Sequence, residues 1–153
     1  MPKRKRTVAP YPRELLGDIG WSFLDPPFAS QTAFIDAVRQ YEREVQVDGE
    51  GESTWRPDEV VLHAHRVRIT CEYWDDPEEL INRVMFDDET GDLQTDLTAD
   101  GPEGFTAGEL LFKVHNAFTR YLSEGDHHFF EGLARVKGAN PNAVPVYEVH
   151  TGS

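Results

Sequence analysis

Six histidines and 28 acidic residues supply the side chains in this chain that could do chemistry. Two groupings stand out. His63 and His65 are separated by one residue, so on a strand both rings project from the same face, a spacing at which two imidazoles can share a metal ion. Further on, "GDHHFFEGL" places Asp126, His127, His128 and Glu131 around two phenylalanines. Adjacent histidines diverge on any regular backbone, by about 100° on a helix and to opposite faces on a strand. His127 and Glu131, four apart, meet on one helical face and make a two-point site. A metal-assisted hydrolase would then combine His63, His65, His127 and Glu131, with His115 or a carboxylate as a further ligand. That reading needs groups from separate segments to converge, and no Cys ligand or His-Glu-x-x-His pattern supports it.

The same stretch has a structural reading. Gly125 closes one helix, Asp126 opens a short third one, and Phe129, Phe130, Leu133 and Val136 form the apolar face that docks it. Other chemical signatures fail on inspection. Residues 96–101, "DLTADG", begin like a calcium loop, yet Ala107 stands where a bidentate Glu belongs. Ser22 lacks the second glycine of a nucleophile elbow. No phosphate-binding glycine loop occurs. Cys71 shares parity with Val67, Ile69 and Tyr73, which assigns it to a core. Pairs such as Asp75-Asp76 and Asp87-Asp88 are expected by chance in so acidic a chain. No catalytic constellation, metal or cofactor site is legible, so the chain reads as non-enzymatic.

Charge points elsewhere. The net charge is −13, but the first 13 residues hold five of the 15 basic residues and no acidic one. Residues 1–13, with "KRKR" and three prolines, read as a flexible basic arm, and residues 14–153 as one acidic domain. A body this acidic repels nucleic-acid phosphate and suits recruitment of a basic protein. Acidic residues crowd 75–79 and 87–103 beside two aromatics. Tyr73 and Trp74 would anchor a partner, while Asp75, Asp76, Asp87, Asp88, Glu89 and Asp92 steer it. The expected function is an acidic protein-binding module that neutralises or escorts a basic partner, in the manner of a toxin-neutralising immunity protein or a secretion chaperone. One cysteine and the absence of a long apolar run or an apolar leader fit a cytoplasmic protein without a membrane span.

The elements that position these residues follow from periodicity. A short strand is expected within Ile19–Leu24. Ser30 caps a helix over 31–45, where Phe34, Ala37, Val38, Tyr41 and Val45 recur at helical spacing. Val67–Tyr73 alternates as a strand. Val60, Leu62 and Ala64 alternate in the opposite parity, which implies a bent strand or a hairpin with a break near His65. Residues 77–86 fit a helix or a strand, and 82–86 with 93–97 a hairpin. Thr106 and Glu109 form a capping box ahead of the stripe Ala107, Leu110, Leu111, Val114, Phe118, Tyr121 and Leu122. Val144–Val149 reads as a last strand, placed at an edge by Pro145. The expected fold is α+β in a single domain: a mostly antiparallel sheet, two main helices and one short C-terminal helix.

Overall fold

The computed structural model describes residues 11–17, 19–45, 55–71, 93–122, 129–136 and 144–152. They form an α+β domain with a mostly antiparallel sheet and two helices. In chain order the elements are β1 (Glu14–Leu15), β2 (Trp21–Ser22), α1 (Gln31–Val45), β3 (Val60–Leu62), β4 (Arg66–Cys71), β5 (Leu93–Thr98), β6 (Phe105–Thr106), α2 (Ala107–Leu122), β7 (Phe129–Arg135) and β8 (Val146–Gly152). The main sheet runs β1-β7-β8-β4-β5, and β2 also pairs with β7. Only β4 and β8 run parallel within it.

Register explains which face is buried. Leu15, Leu133, Val149, Cys71 and Leu93 are successive cross-strand partners and make one buried row across five strands. Alternate residues on the other face are polar: Glu14, Glu148, Thr70 and Gln94 share the next row with Ala134. This period-two division fixes the register, because a one-residue slip would turn the apolar row to solvent.

The two helices form where their caps begin. The Ser30 hydroxyl accepts the Ala33 N–H at 3.1 Å, and α1 then buries Phe34 and Val38 completely. Full burial of one such side chain contributes about 1.5–3 kcal/mol. Thr106 accepts the Glu109 N–H at 3.1 Å and opens α2. The Glu109 carboxylate does not complete the capping box. It turns outward from the helix start and accepts the Asp100 N–H at 2.7 Å and the Lys113 ammonium at 2.9 Å. Leu110, Leu111, Val114, Phe118, Tyr121 and Leu122 of α2 are all buried.

Three expectations are corrected and a fourth is narrowed. The segment expected as a third helix, Phe129 onward, is strand β7, held between β1 and β2 on one side and β8 on the other. Its register shifts between Phe130 and Gly132, and that bulge spaces the inward residues Phe130 and Leu133 three apart, which imitates a helical stripe. Gly132 takes a positive φ of 114°, and a Cβ there would lie 3.1 Å from the Gly17 Cα in the turn between β1 and β2. Strand β8 is central, not at an edge. Pro145 precedes its first paired residue, and the Pro145 carbonyl accepts the Arg68 N–H at 2.9 Å. Residues 60–71 are neither a bent strand nor a hairpin. β3 leaves the main sheet to pair with β6, and Gly104 permits this: with φ 124°, a Cβ on it would strike the Leu62 carbonyl oxygen. The strand expected within Ile19–Leu24 is limited to Trp21–Ser22.

Candidate functional site

His63 and His65 are exposed and lie between β3 and β4, outside any strand, so the same-face geometry expected of them does not arise. Glu131 is exposed on β7, next to Gly132, the partner of His150 on β8. That position lies beyond the Cys71 end of β4, whereas His65 precedes Arg66 at the other end. A six-residue strand spans roughly 20 Å, so Glu131 and the two histidines are not brought together. His127 lies outside the described residues. Among the described residues no group of three His, Cys, Asp or Glu side chains is placed to hold a metal ion.

The expected partner-binding residues, Tyr73, Trp74, Asp75, Asp76, Asp87, Asp88, Glu89 and Asp92, all lie outside the described residues, as do 82–86. The stems of their connection are well defined. Cys71 and Leu93 are direct antiparallel partners, so the chain leaves β4 and returns to β5 at one point of the sheet. Nine of the 28 acidic residues fall between those stems, against one basic residue, Arg83.

The polar face of the sheet carries both signs of charge. Beside β5, Arg68 of β4 forks Asp96 with bonds of 2.8 and 3.2 Å, and Arg66 approaches the same carboxylate at 3.9 Å. The Arg68 hydrogen bond holds the Asp96 carboxyl below its ordinary range. Glu14, Glu131, Gly132 and His150 are among the residues that line a cleft of about 110 Å³, and His150 lies 3.4 Å from Glu148. Glu14, Glu131 and Glu148 stand on β1, β7 and β8, and Glu148 pairs with Thr70, two residues from Arg68 on the adjacent strand β4.

Sequence reasoning missed a buried polar cluster inside the domain. His115, fully buried on α2, accepts the Trp21 indole N–H on Nδ1 at 3.1 Å. Its Nε2 then carries the hydrogen and donates to the Pro26 carbonyl at 3.2 Å. Rings of Trp21, Phe23, Phe28 and Phe34 surround it at centroid distances of 5.3–5.8 Å. Burial pushes the imidazole below its ordinary pKa and keeps it neutral. The signal was present in the sequence: Leu111, His115, Phe118 and Leu122 share one helical stripe.

The described residues form a single α+β domain whose main sheet has one buried and one polar face, and the sequence between Cys71 and Leu93 is acidic. Compared with protein-family models, with curated proteins and with solved structures, the chain matches none. Among the described residues no helix is long and apolar enough to cross a membrane.

Proposed function

We propose that this chain is a non-enzymatic acidic protein-binding module that neutralises or escorts a basic partner, as an immunity protein or a secretion chaperone does. The observation that carries the reading is the acidic connection between Cys71 and Leu93, with nine carboxylates and one cation. Its stems are paired strands of the main sheet, so its two ends are fixed on a packed scaffold. The net charge of −13 adds a long-range field that steers a basic surface toward it. Tyr73 and Trp74, next to the first stem, supply aromatic area for the contact itself. Glu14, Glu131 and Glu148 on β1, β7 and β8 add the same sign of charge to part of the sheet face. Localisation in the cytoplasm belongs to the same proposal.

The test is direct. Purified protein is presented with the products of neighbouring genes, and association rates of any binder are measured at ~0.05 and ~0.5 M salt. The rate should fall steeply with salt. A binder whose association rate ignores salt overturns electrostatic recruitment as its basis.

A further inference from the structure

We propose that His115 is a proton-operated latch that fastens residues 21–28 to α2 and lets them go in mild acid. The segment from Trp21 to Phe28 has almost no regular structure beyond Trp21–Ser22, yet three side chains of α2 hold it. His115 takes the Trp21 indole N–H and gives its own N–H to the Pro26 carbonyl. Asn116 accepts the Phe28 N–H at 2.9 Å and donates to the Phe28 carbonyl at 3.0 Å. Thr119 donates to the Asp25 carbonyl at 2.6 Å. These bonds satisfy backbone groups that the segment cannot pair with itself.

His115 is the member of this set that changes with pH. A proton taken from water onto Nδ1 consumes the lone pair that receives the Trp21 N–H, so two donors then face each other. The Nε2–H bond to Pro26 survives, but a full charge is now confined among aromatic rings with no exposure to water. The surroundings offer little to balance it. Asp25, on the segment itself, is the charged group acting on the ring, and it is exposed. From α1 the ring meets Phe34, while Tyr41 and Glu42 of that helix engage Trp21 and the Gly20 N–H. From β7, Phe130 packs on Phe23. Stacking on the rings offsets part of that cost, but none of them supplies a counter-charge.

What the latch controls is the surface. Closed, the segment presents Leu24, Asp25, Pro26 and Pro27 as a fixed exposed tip. Released, it uncovers the aromatic cluster beneath. The window follows from the sign of the change. The folded-state pKa lies below the ordinary value of 6.5, so the closed form is favoured above that value. It is lost as pH falls from there through the lowered pKa.

The experiment is nuclear magnetic resonance of the full chain between pH 7 and pH 4.5, following the His115 ring nitrogens, the Trp21 indole N–H and the Phe28 amide. We expect the Trp21 and Phe28 signals to shift with the His115 midpoint, and their hydrogen-exchange protection to drop by about tenfold per pH unit through that transition. Protection elsewhere in the sheet, at Ile69 and Leu133, should persist. In His115→Gln the side-chain amide can accept from Trp21 and donate to Pro26 without titrating, so protection should stay constant over the same range. Three outcomes overturn the latch: Trp21 signals that ignore the His115 titration, an equal loss of protection in His115→Gln, or titration of His115 only together with loss of the whole sheet. If His115→Gln does not fold, the wild-type midpoints alone decide.

Discussion

Asn116 binds Phe28 as a neighbouring strand would, accepting its N–H at 2.9 Å and donating to its carbonyl at 3.0 Å. One side chain on a helix therefore satisfies both backbone groups of a residue 88 positions away. Asn116→Ala should cost about 1–3 kcal/mol, since both Phe28 groups are left half-buried and unpaired. Asn116→Asp keeps the acceptor and loses the donor, and should fall between. Urea unfolding of the three proteins checks the order. Equal stabilities would show that water replaces the amide without penalty.

Lys113 makes the second tie of this kind. Its ammonium reaches the Thr98 carbonyl at 2.6 Å and the Asp100 and Glu109 carboxylates at 2.9 Å each. Glu109 is buried, so Lys113→Met strands a carboxylate and should cost about 2–4 kcal/mol. The double change Glu109→Gln with Lys113→Met keeps an acceptor for the Asp100 N–H and removes both charges. It should recover most of the loss. A double-mutant cycle in urea measures the coupling, and additive effects would rule it out.

Tyr147 predicts an alkaline effect. Its hydroxyl is buried and donates to the Pro12 carbonyl at 2.6 Å, and burial lifts its pKa from 10.0 to about 12. A folded pKa above the unfolded one gives stability that is complete below pH ~10 and disappears as pH rises through ~12. Ultraviolet titration should show a phenol ionising near pH 12 that is missing in Tyr147→Phe. The same change should cost about 1 kcal/mol at neutral pH through the lost hydrogen bond. With Arg135, which donates to the Tyr11 carbonyl and pairs its backbone N–H with Arg13, Tyr147 holds residues 11–13 against β7 and β8. These three residues were read from the sequence as the end of a basic arm.

For the proposed binding function, replacing Asp87, Asp88 and Glu89 by Ala should slow association more than it speeds dissociation. Stopped-flow kinetics with a basic binder at low salt gives both rates. An unchanged association rate would remove these residues from the steering surface.

Local signals were legible in the sequence, and long-range ones were not. The 31–45 helix matches its expected limits because Ser30 supplies a cap and Phe34 and Val38 fix the stripe. Arg66–Cys71 was readable because its alternation meets no bulge. Phe129–Arg135 misled because Gly132 breaks its alternation in a way that copies a helix. Pro145 misled because lacking an N–H disfavours central strands only at paired positions, and pairing begins at Val146. Of the site, spacing singled out His63, His65 and Glu131, but the strand expected to hold the two histidines and the helix expected to hold Glu131 do not form there, and a strand's length separates them. The stripe Leu111, His115, Phe118 and Leu122 marks His115 as inward, but its partners lie 89 and 94 residues away, beyond the reach of periodicity.

The central place of β8 also bears on synthesis. Residues 146–152 join β7 to β4, and both neighbours are translated before them. A growing chain therefore carries two strands with open edges and uncovered apolar sides until β8 leaves the ribosome. Translation proceeds at about 5–20 residues per second, so this interval is short, but during it unpaired edges invite association with other nascent chains. Hydrophobic exposure on the ribosome should peak just before the strand that unites the sheet emerges.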